Sequence, residues 1–209
     1  GSTLFMVLLA AFDVLLARYS GQDDIVVSVP ISGRKGTELE SIVGFFLNTL
    51  PIRVQLEGQI DFGNVLKQVR NKSLAAYANQ EMPFGKLVEE LAPERDTSRP
   101  PIAQMHFVLQ HVDNPTDEFA GLAAEKIALS TNTTKFDMTL FAFEVGETLA
   151  IDFEYNSDLY TPSTIEQLAK HYENLLQSIV AQPACAIDAL PMLDPGERNQ
   201  LVVEWNNTN

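Results

Sequence analysis

Ile42-Val43-Gly44-Phe45-Phe46-Leu47-Asn48-Thr49-Leu50-Pro51-Ile52-Arg53 is the stretch on which the reading of this chain turns. It opens as an unbroken apolar run. It then sets one amide, Asn48, and one guanidinium, Arg53, beside a proline-containing apolar end. A run of Ile, Val, Phe and Leu is expected to be buried on both faces. A buried segment that carries Asn must give the amide hydrogen-bond partners. Two readings follow: a core strand with a satisfied polar residue, or the wall of a site.

The chain around it has 209 residues, enough for one large domain or two small ones. Hydrophobic residues make up 45% and charged residues 20%, which argues for a globular fold and against disorder. The net charge is −14, from 28 acidic and 14 basic residues. Such an excess repels phosphate backbones and anionic lipid, so neither nucleic acid nor a membrane is an expected partner. The single cysteine, Cys185, excludes an internal disulfide framework and a thiolate zinc site, and suits a reducing cytoplasm. The opening Gly1-Ser2 reads as a cleavage scar, so the natural chain is expected to begin upstream.

On the N-terminal side, residues 4–16 are nearly all apolar and free of Gly and Pro, interrupted only by Asp13. This predicts a central helix, too short to span a bilayer, that ends at Arg18-Tyr19-Ser20-Gly21. Residues 25–29 read as a buried strand. Gly33-Arg34-Lys35-Gly36 lies in the loop that follows, without the spacing of a phosphate-binding fingerprint. On the C-terminal side, residues 50–56 read as a strand and residues 61–78 as a helix capped by Asp61. Pro83 opens a second helix, residues 84–91. Residues 103–109 alternate as a strand that puts His106 on its polar side. Residues 125–129 are a candidate short strand, and residues 137–143 and 149–155 make a hairpin around Gly146. Thr161-Pro162 opens a long helix to about residue 182, with Ile165, Leu168, Tyr172, Leu175, Leu176 and Ile179 as its buried stripe. From residue 183 the chain reads as an extended linker, with a short helix at Asp194-Pro195 and the only tryptophan, Trp205, near its end.

The residues do not display a self-evident active site. His106, His111 and His171 sit in no metal-ligand spacing, and each reads as a structural histidine. No serine stands in a Gly-x-Ser-x-Gly elbow, and Cys185 lies in the tail.

Three blocks, however, resemble motifs of the C-terminal half of a nonribosomal peptide synthetase condensation domain. The stretch from Val43 to Arg53 is similar to the family's Gly-x-Phe-Val-Asn-Thr-x-x-x-Arg. Asn79-Gln80-Glu81-Met82-Pro83-Phe84 is similar to His/Asn-Gln-Asp-x-Pro-Phe-Glu, with Glu81 for Asp and Gly85 for Glu. Arg95-Asp96-Thr97-Ser98-Arg99-Pro100-Pro101 is similar to Arg-Asp-x-Ser-Arg-Asn-Pro, with Pro100 for Asn. The blocks keep the family's order, and the resemblance extends over essentially the whole chain.

The resemblance implies an α/β, chloramphenicol-acetyltransferase-like lobe with a mixed β-sheet packed with helices. It divides the chain into a lobe, residues 1–182, and a linker towards an adenylation domain, residues 183–209. Two such lobes form a V around a tunnel, where an acceptor amine attacks a donor thioester to make an amide. The implied partners are the N-terminal lobe, donor and acceptor carrier proteins, and the downstream adenylation domain. The phosphopantetheine arms belong to the carriers, and no cofactor is expected on the chain itself. The family's His-His-x-x-x-Asp-Gly motif belongs to the N-terminal lobe, and this chain has no His-His pair. No catalytic residue is therefore assigned here.

Asn48, Thr49, Arg53, Gln80, Pro83 and Phe84 are implied at the tunnel or the lobe interface, with Arg53 pairing to a carboxylate of the other lobe. Arg95, Asp96 and Arg99 are implied to fix a loop near the tunnel mouth. Residues 43–46 are expected to anchor the lobe. Part of residues 131–158 is a candidate crossing segment to the other lobe. The alternative is a non-catalytic docking lobe for carrier or adenylation domains. A lobe on its own is also expected to expose its partner-facing apolar surface, through self-association or partly disordered loops at residues 79–84 and 113–120.

Overall fold

The computed structural model describes residues 1–34, 36–91, 99–111, 118–119, 122–123 and 133–207. Helix α1, Leu4–Ser20, runs through the middle of the molecule. Thr3 caps its start by accepting the Met6 amide, and Gly21 closes it at φ 66°, a left-handed conformation that glycine adopts without strain. Ten of its residues are buried, consistent with an apolar sequence on every side. The cost is Asp13, which is buried and whose two carboxyl oxygens have no hydrogen-bond partner among the described residues.

A five-stranded mixed sheet packs beside α1 in the order β2-β1-β3-β6-β7. Its strands are β1 (Asp24–Ile31), β2 (Asn48–Gln55), β3 (Met105–His111), β6 (Met138–Val145) and β7 (Thr148–Tyr155). A separate two-stranded ribbon joins β4 (Glu118–Phe119) to β5 (Leu122–Ala123). Strands β6 and β7 turn at Gly146, φ 61°, as the predicted hairpin. Leu50, Ile52 and Val54 of β2 lie buried with Ile25, Val27 and Val29 of β1.

Proline explains why β1 and β3 pair so briefly. Strand β1 pairs with β2 along its whole length, but with β3 only at Val27↔Met105 and Ser28↔His106. Pro51 has no N–H, so Ser28↔Pro51 is a non-hydrogen-bonded pair of the antiparallel ladder. Two residues on, Pro30↔Thr49 is a pair of the same kind. The nitrogen of Pro30 therefore faces β3 and has no hydrogen with which to extend that ladder.

Helix α2, Phe62–Ala78, is capped by Asp61 and buries Phe62, Val65 and Val69, and α3, Phe84–Leu91, follows it. Helix α4, Pro162–Ala181, is capped by Thr161 and lays Ile165, Leu168, Tyr172, Leu175 and Ile179 into the core, with Leu176 half-buried. The stretch read as a linker from residue 183 lies against this body. Ile187, Leu190 and Met192 are buried, the Ile187 amide donates to the Ile60 carbonyl, and Ala186 bridges to Asp61. Apolar side chains spaced three and two residues apart need no regular element to reach a core. Helix α5, Pro195–Asn199, follows, with a reciprocal capping box between Asp194 and Glu197, and runs into a wide π-turn at Gln200–Glu204.

Candidate functional site

The first two sequence blocks meet at one side chain. Asn48, at the start of β2, donates its Nδ2 hydrogens to the carbonyls of Gln80 (3.0 Å) and Met82 (2.8 Å). Its Oδ1 accepts the amide of Phe84 at 3.0 Å. The Phe84 amide is one of the α3 N–H groups that a helix cannot satisfy from within, and Pro83, before it, has no N–H to offer. Asn48 therefore caps α3 from another element. Both of its donors and one acceptor lone pair are used inside the molecule. The 79–84 segment, expected to be partly disordered in a lobe on its own, is a defined turn in which Met82 also donates to the Asn79 carbonyl.

The apolar run before Asn48 overturns its expectation. Val43 is 99% exposed and Phe45 87%, with Ile42 at 46% and Leu47 at 57%. Val43, Gly44 and Phe45 do not anchor the lobe: they lie in an exposed loop between β1 and β2, Phe46 is only half-buried, and burial in β2 begins at Leu50. Composition reports how apolar a segment is, and burial also requires another element to cover it. The loop is held from inside. The Arg34 guanidinium lies 4.2 Å from the centre of the Phe46 ring and donates to the Leu39 carbonyl, so it is engaged within the loop itself. Gly33, at φ 64°, lies so close to the Phe46 carbonyl that a β-carbon there would overlap its oxygen.

Arg53 does not join this site. It lies towards the other end of β2 and makes a fork with Asp24, Nε to Oδ1 at 2.8 Å and Nη2 to Oδ2 at 2.5 Å. The two are diagonal neighbours, since Asp24 pairs with Gln55 and Val26 with Arg53. Hydrogen bonding and the paired charge hold Asp24 below the ordinary carboxylate range and push Arg53 up. The carboxylate expected from another lobe is supplied by the neighbouring strand. Thr49 is half-buried opposite Pro30 on β1. Arg99 is exposed, and its charge acts on Asp137, whose carboxyl is raised by burial and partly drawn back by the guanidinium. Arg95, Asp96 and residues 113–117, 120 and 124–132 lie outside the described residues.

Two polar clusters were not legible in the sequence. His106, read on a polar strand face, is 8% exposed and stacks on Phe136 at 4.2 Å between ring centres. Ser28 Oγ donates to the Met105 carbonyl (3.1 Å), so His106 Nδ1, 2.7 Å away, donates to Ser28. Burial pushes His106 down to about 4, against an opposing contribution from the Ser28 backbone. The contact resembles a nucleophile with its base, but the serine hydrogen is committed to a carbonyl and Phe136 covers the ring. The pair is structural.

The second cluster joins Tyr19, His171 and Glu197. Tyr19 Oη lies 2.6 Å from His171 Nδ1, and His171 Nε2 lies 2.8 Å from Glu197 Oε2. Gln167 Nε2 donates to Glu197 Oε1 at 2.5 Å. Burial would raise the Glu197 carboxyl. Hydrogen bonds from His171 and Gln167, the His171 charge and the Asp194 amide outweigh it and hold the carboxyl below its ordinary value. The signal available in the sequence was a histidine bordering an apolar helical stripe.

Among the described residues no group of three or more His, Cys, Asp or Glu is arranged to hold a metal, and no helix is long and apolar enough to cross a membrane. The family model for the condensation domain matches residues 1–202. The chain is 46% identical over 210 residues to one of the linear gramicidin synthase proteins of Brevibacillus parabrevis, covering 100% of this chain and 3% of that protein. It is 41% identical to gramicidin S synthase 2 of Brevibacillus brevis, again over 100% of this chain and 5% of the other. The chain thus spans only a small fraction of the length of these curated relatives.

Among solved structures it is similar to a four-domain nonribosomal peptide synthetase bound to AMP and glycine, with TM-score 0.84, 23% identity and coverage of 95% of this chain and 16% of that one. It is also similar to the starter condensation domain of the rhizomide synthetase, with TM-score 0.79, 23% identity and coverage of 91% and 45%. These neighbours share the chloramphenicol-acetyltransferase-like architecture of a mixed sheet packed with helices. With its three motif blocks, its mixed sheet and a family match over nearly its full length, the chain belongs to the condensation-domain family of nonribosomal peptide synthetases.

Proposed function

We propose that this chain is the C-terminal lobe of a condensation domain and supplies one wall of the tunnel in which an amide bond is made. The observation that carries this reading is the pairing of a fixed polar junction with an uncovered apolar loop. Asn48 holds the 79–84 turn to β2, and immediately before it Val43 and Phe45 point outward. An apolar loop on a rigid base is a surface built to be covered. Coverage of 45% of a solved starter condensation domain supports a partner of about this size within the same domain.

In this reading the acceptor amine attacks the donor thioester carbonyl. The new C–N bond forms, the C–S bond breaks, and the thiol of the donor's phosphopantetheine arm leaves. The wall contributes shape and exclusion of water; Asn48, Gln80, Pro83 and Phe84 fix its polar corner. Proton transfer falls to the His-His motif of the N-terminal lobe, since the three histidines here are separated in sequence. Residues 1–182 form the lobe, and the chain from residue 183 leads towards an adenylation domain after first packing on the lobe through Ile187, Leu190 and Met192. Carrier proteins are the partners that deliver both substrates.

The test mixes this chain with a separately produced N-terminal lobe and two loaded carriers, and follows amide formation by mass spectrometry. Activity that appears only in the mixture, and that Val43→Asp with Phe45→Asp abolishes, is the expected result. A folded, associated pair without activity would replace this reading with a docking lobe.

A further inference from the structure

We propose that Tyr19, His171 and Glu197 form a clasp that locks helix α5, and with it the direction the chain takes past Asn199, to the last turn of α1. This inference goes beyond the tunnel-wall reading and does not depend on it. Three features carry it: burial, a ring engaged at both nitrogens, and a shared anchor.

His171 is 3% exposed, although it lies between one residue of α1 and one of a five-residue helix near the end of the chain. So short a helix is not stable on its own. The imidazole sits between its partners with one ring nitrogen on each, Nδ1 on the Tyr19 hydroxyl and Nε2 on the Glu197 carboxylate. The Nε2 hydrogen is donated to the Glu197 carboxylate, which only accepts, and the Tyr19 hydroxyl engages Nδ1 at the other end. Both ring nitrogens are therefore occupied, one at each end of the clasp.

Glu197 is the hub. Oε2 also accepts the Asp194 amide in the capping box, and Oε1 accepts from Gln167 of α4. The groups facing the ring or the carboxylate are thus Tyr19 from α1, Gln167 from α4 and the Asp194 amide before α5. The residue before Tyr19 holds the same segment: Arg18 Nη1 donates to the Leu190 carbonyl at 2.5 Å and to the Ile187 carbonyl at 3.5 Å. Adjacent side chains at the end of α1 thereby grip the segment at two places. Asn174 and Ser178 of α4 hold it between them, at the Met192 and Pro191 carbonyls. The wide turn at Gln200–Glu204 begins where the clasp ends.

Amide hydrogen exchange on the full 209-residue chain tests the clasp. Tyr19→Phe removes one hydroxyl and leaves the capping box intact. It is expected to speed exchange in α5 about fivefold, the equivalent of one net hydrogen bond, with α2 and β6 unchanged. Glu197→Ala, at a partly exposed position, is expected to give a larger increase confined to residues 190–200. Arg198→Ala serves as the control and should have no effect. Unchanged α5 exchange in Tyr19→Phe would overturn the proposal, as would α5 amides already unprotected in the parent chain. His171→Leu, if it folds, should reproduce the Glu197→Ala pattern.

Discussion

The side-chain oxygen of Asn48 accepts the backbone amide of Phe84 at 3.0 Å across 36 residues of sequence. One strand residue thus completes the N-terminus of a helix it does not belong to, and two sequence blocks become one corner. Asn48→Ala is expected to destabilise the chain by about 2–4 kcal/mol, because it leaves two carbonyls and one amide unpaired. Asn48→Asp should be worse, since it sets a carboxylate against the Gln80 and Met82 carbonyls. Urea unfolding midpoints measure both, with faster amide exchange expected at residues 80–84.

Exposed Val43 and Phe45 make an opposite prediction. Val43→Asp and Phe45→Asp should each change stability by less than about 0.5 kcal/mol, as exposed surface substitutions do. Truncating a buried Phe would cost roughly 3–5 kcal/mol. A large drop in the urea midpoint for either variant would show that the loop is packed after all.

Gly33→Ala drives a β-carbon into the Phe46 carbonyl oxygen at a backbone angle of φ 64°. A loss of about 1–3 kcal/mol is expected from backbone strain and displacement of the loop. Arg34→Ala at the same loop should cost less, since it removes one cation–ring contact and one hydrogen bond without strain. Thermal unfolding of the two variants ranks them.

Asp13 and His106 give stability opposite dependences on pH. The buried Asp13 carboxyl is raised well above its ordinary 3.8, so the folded state holds a proton that the unfolded chain releases, and stability falls as pH rises from about 4. His106 is lowered from 6.5 to about 4, so the unfolded chain binds a proton that the folded state refuses, and stability falls as pH drops from 6.5 towards 4. That second effect is on the order of 3 kcal/mol. Asp13→Leu should raise the urea midpoint more at pH 7 than at pH 4. His106→Asn should flatten the slope between pH 4 and 6.5.

The exposed Arg53–Asp24 fork predicts little. Arg53→Ala should leave the urea midpoint nearly unchanged at physiological salt, because solvent screens a pair whose side chains are 63% and 45% exposed. If Arg53→Ala instead abolished amide formation by an assembled domain, a partner would have to displace Asp24.

Local signals in the chain set the elements and their ends. Thr161 and Asp194 before prolines, Asp61 before α2, Gly21 after α1 and Gly146 between strands are all read from neighbours within a few residues. The ordered motifs also identified the family, which the match over residues 1–202 bears out. Which surfaces are covered, and which partner each polar side chain takes, was settled in three dimensions. The run from Ile42 to Leu47 is as apolar as a core strand, yet no element among the described residues packs over Val43 or Phe45. Arg53 found Asp24 because strand register made them diagonal neighbours, and Asn48 found the α2–α3 turn because β2 starts beside it. The tail after residue 183 reads as a linker, and two residues at the end of α1 and a buried histidine tie it to the body at Leu190 and Glu197. Such contacts are set by distances between segments far apart in the chain, which composition and periodicity do not encode.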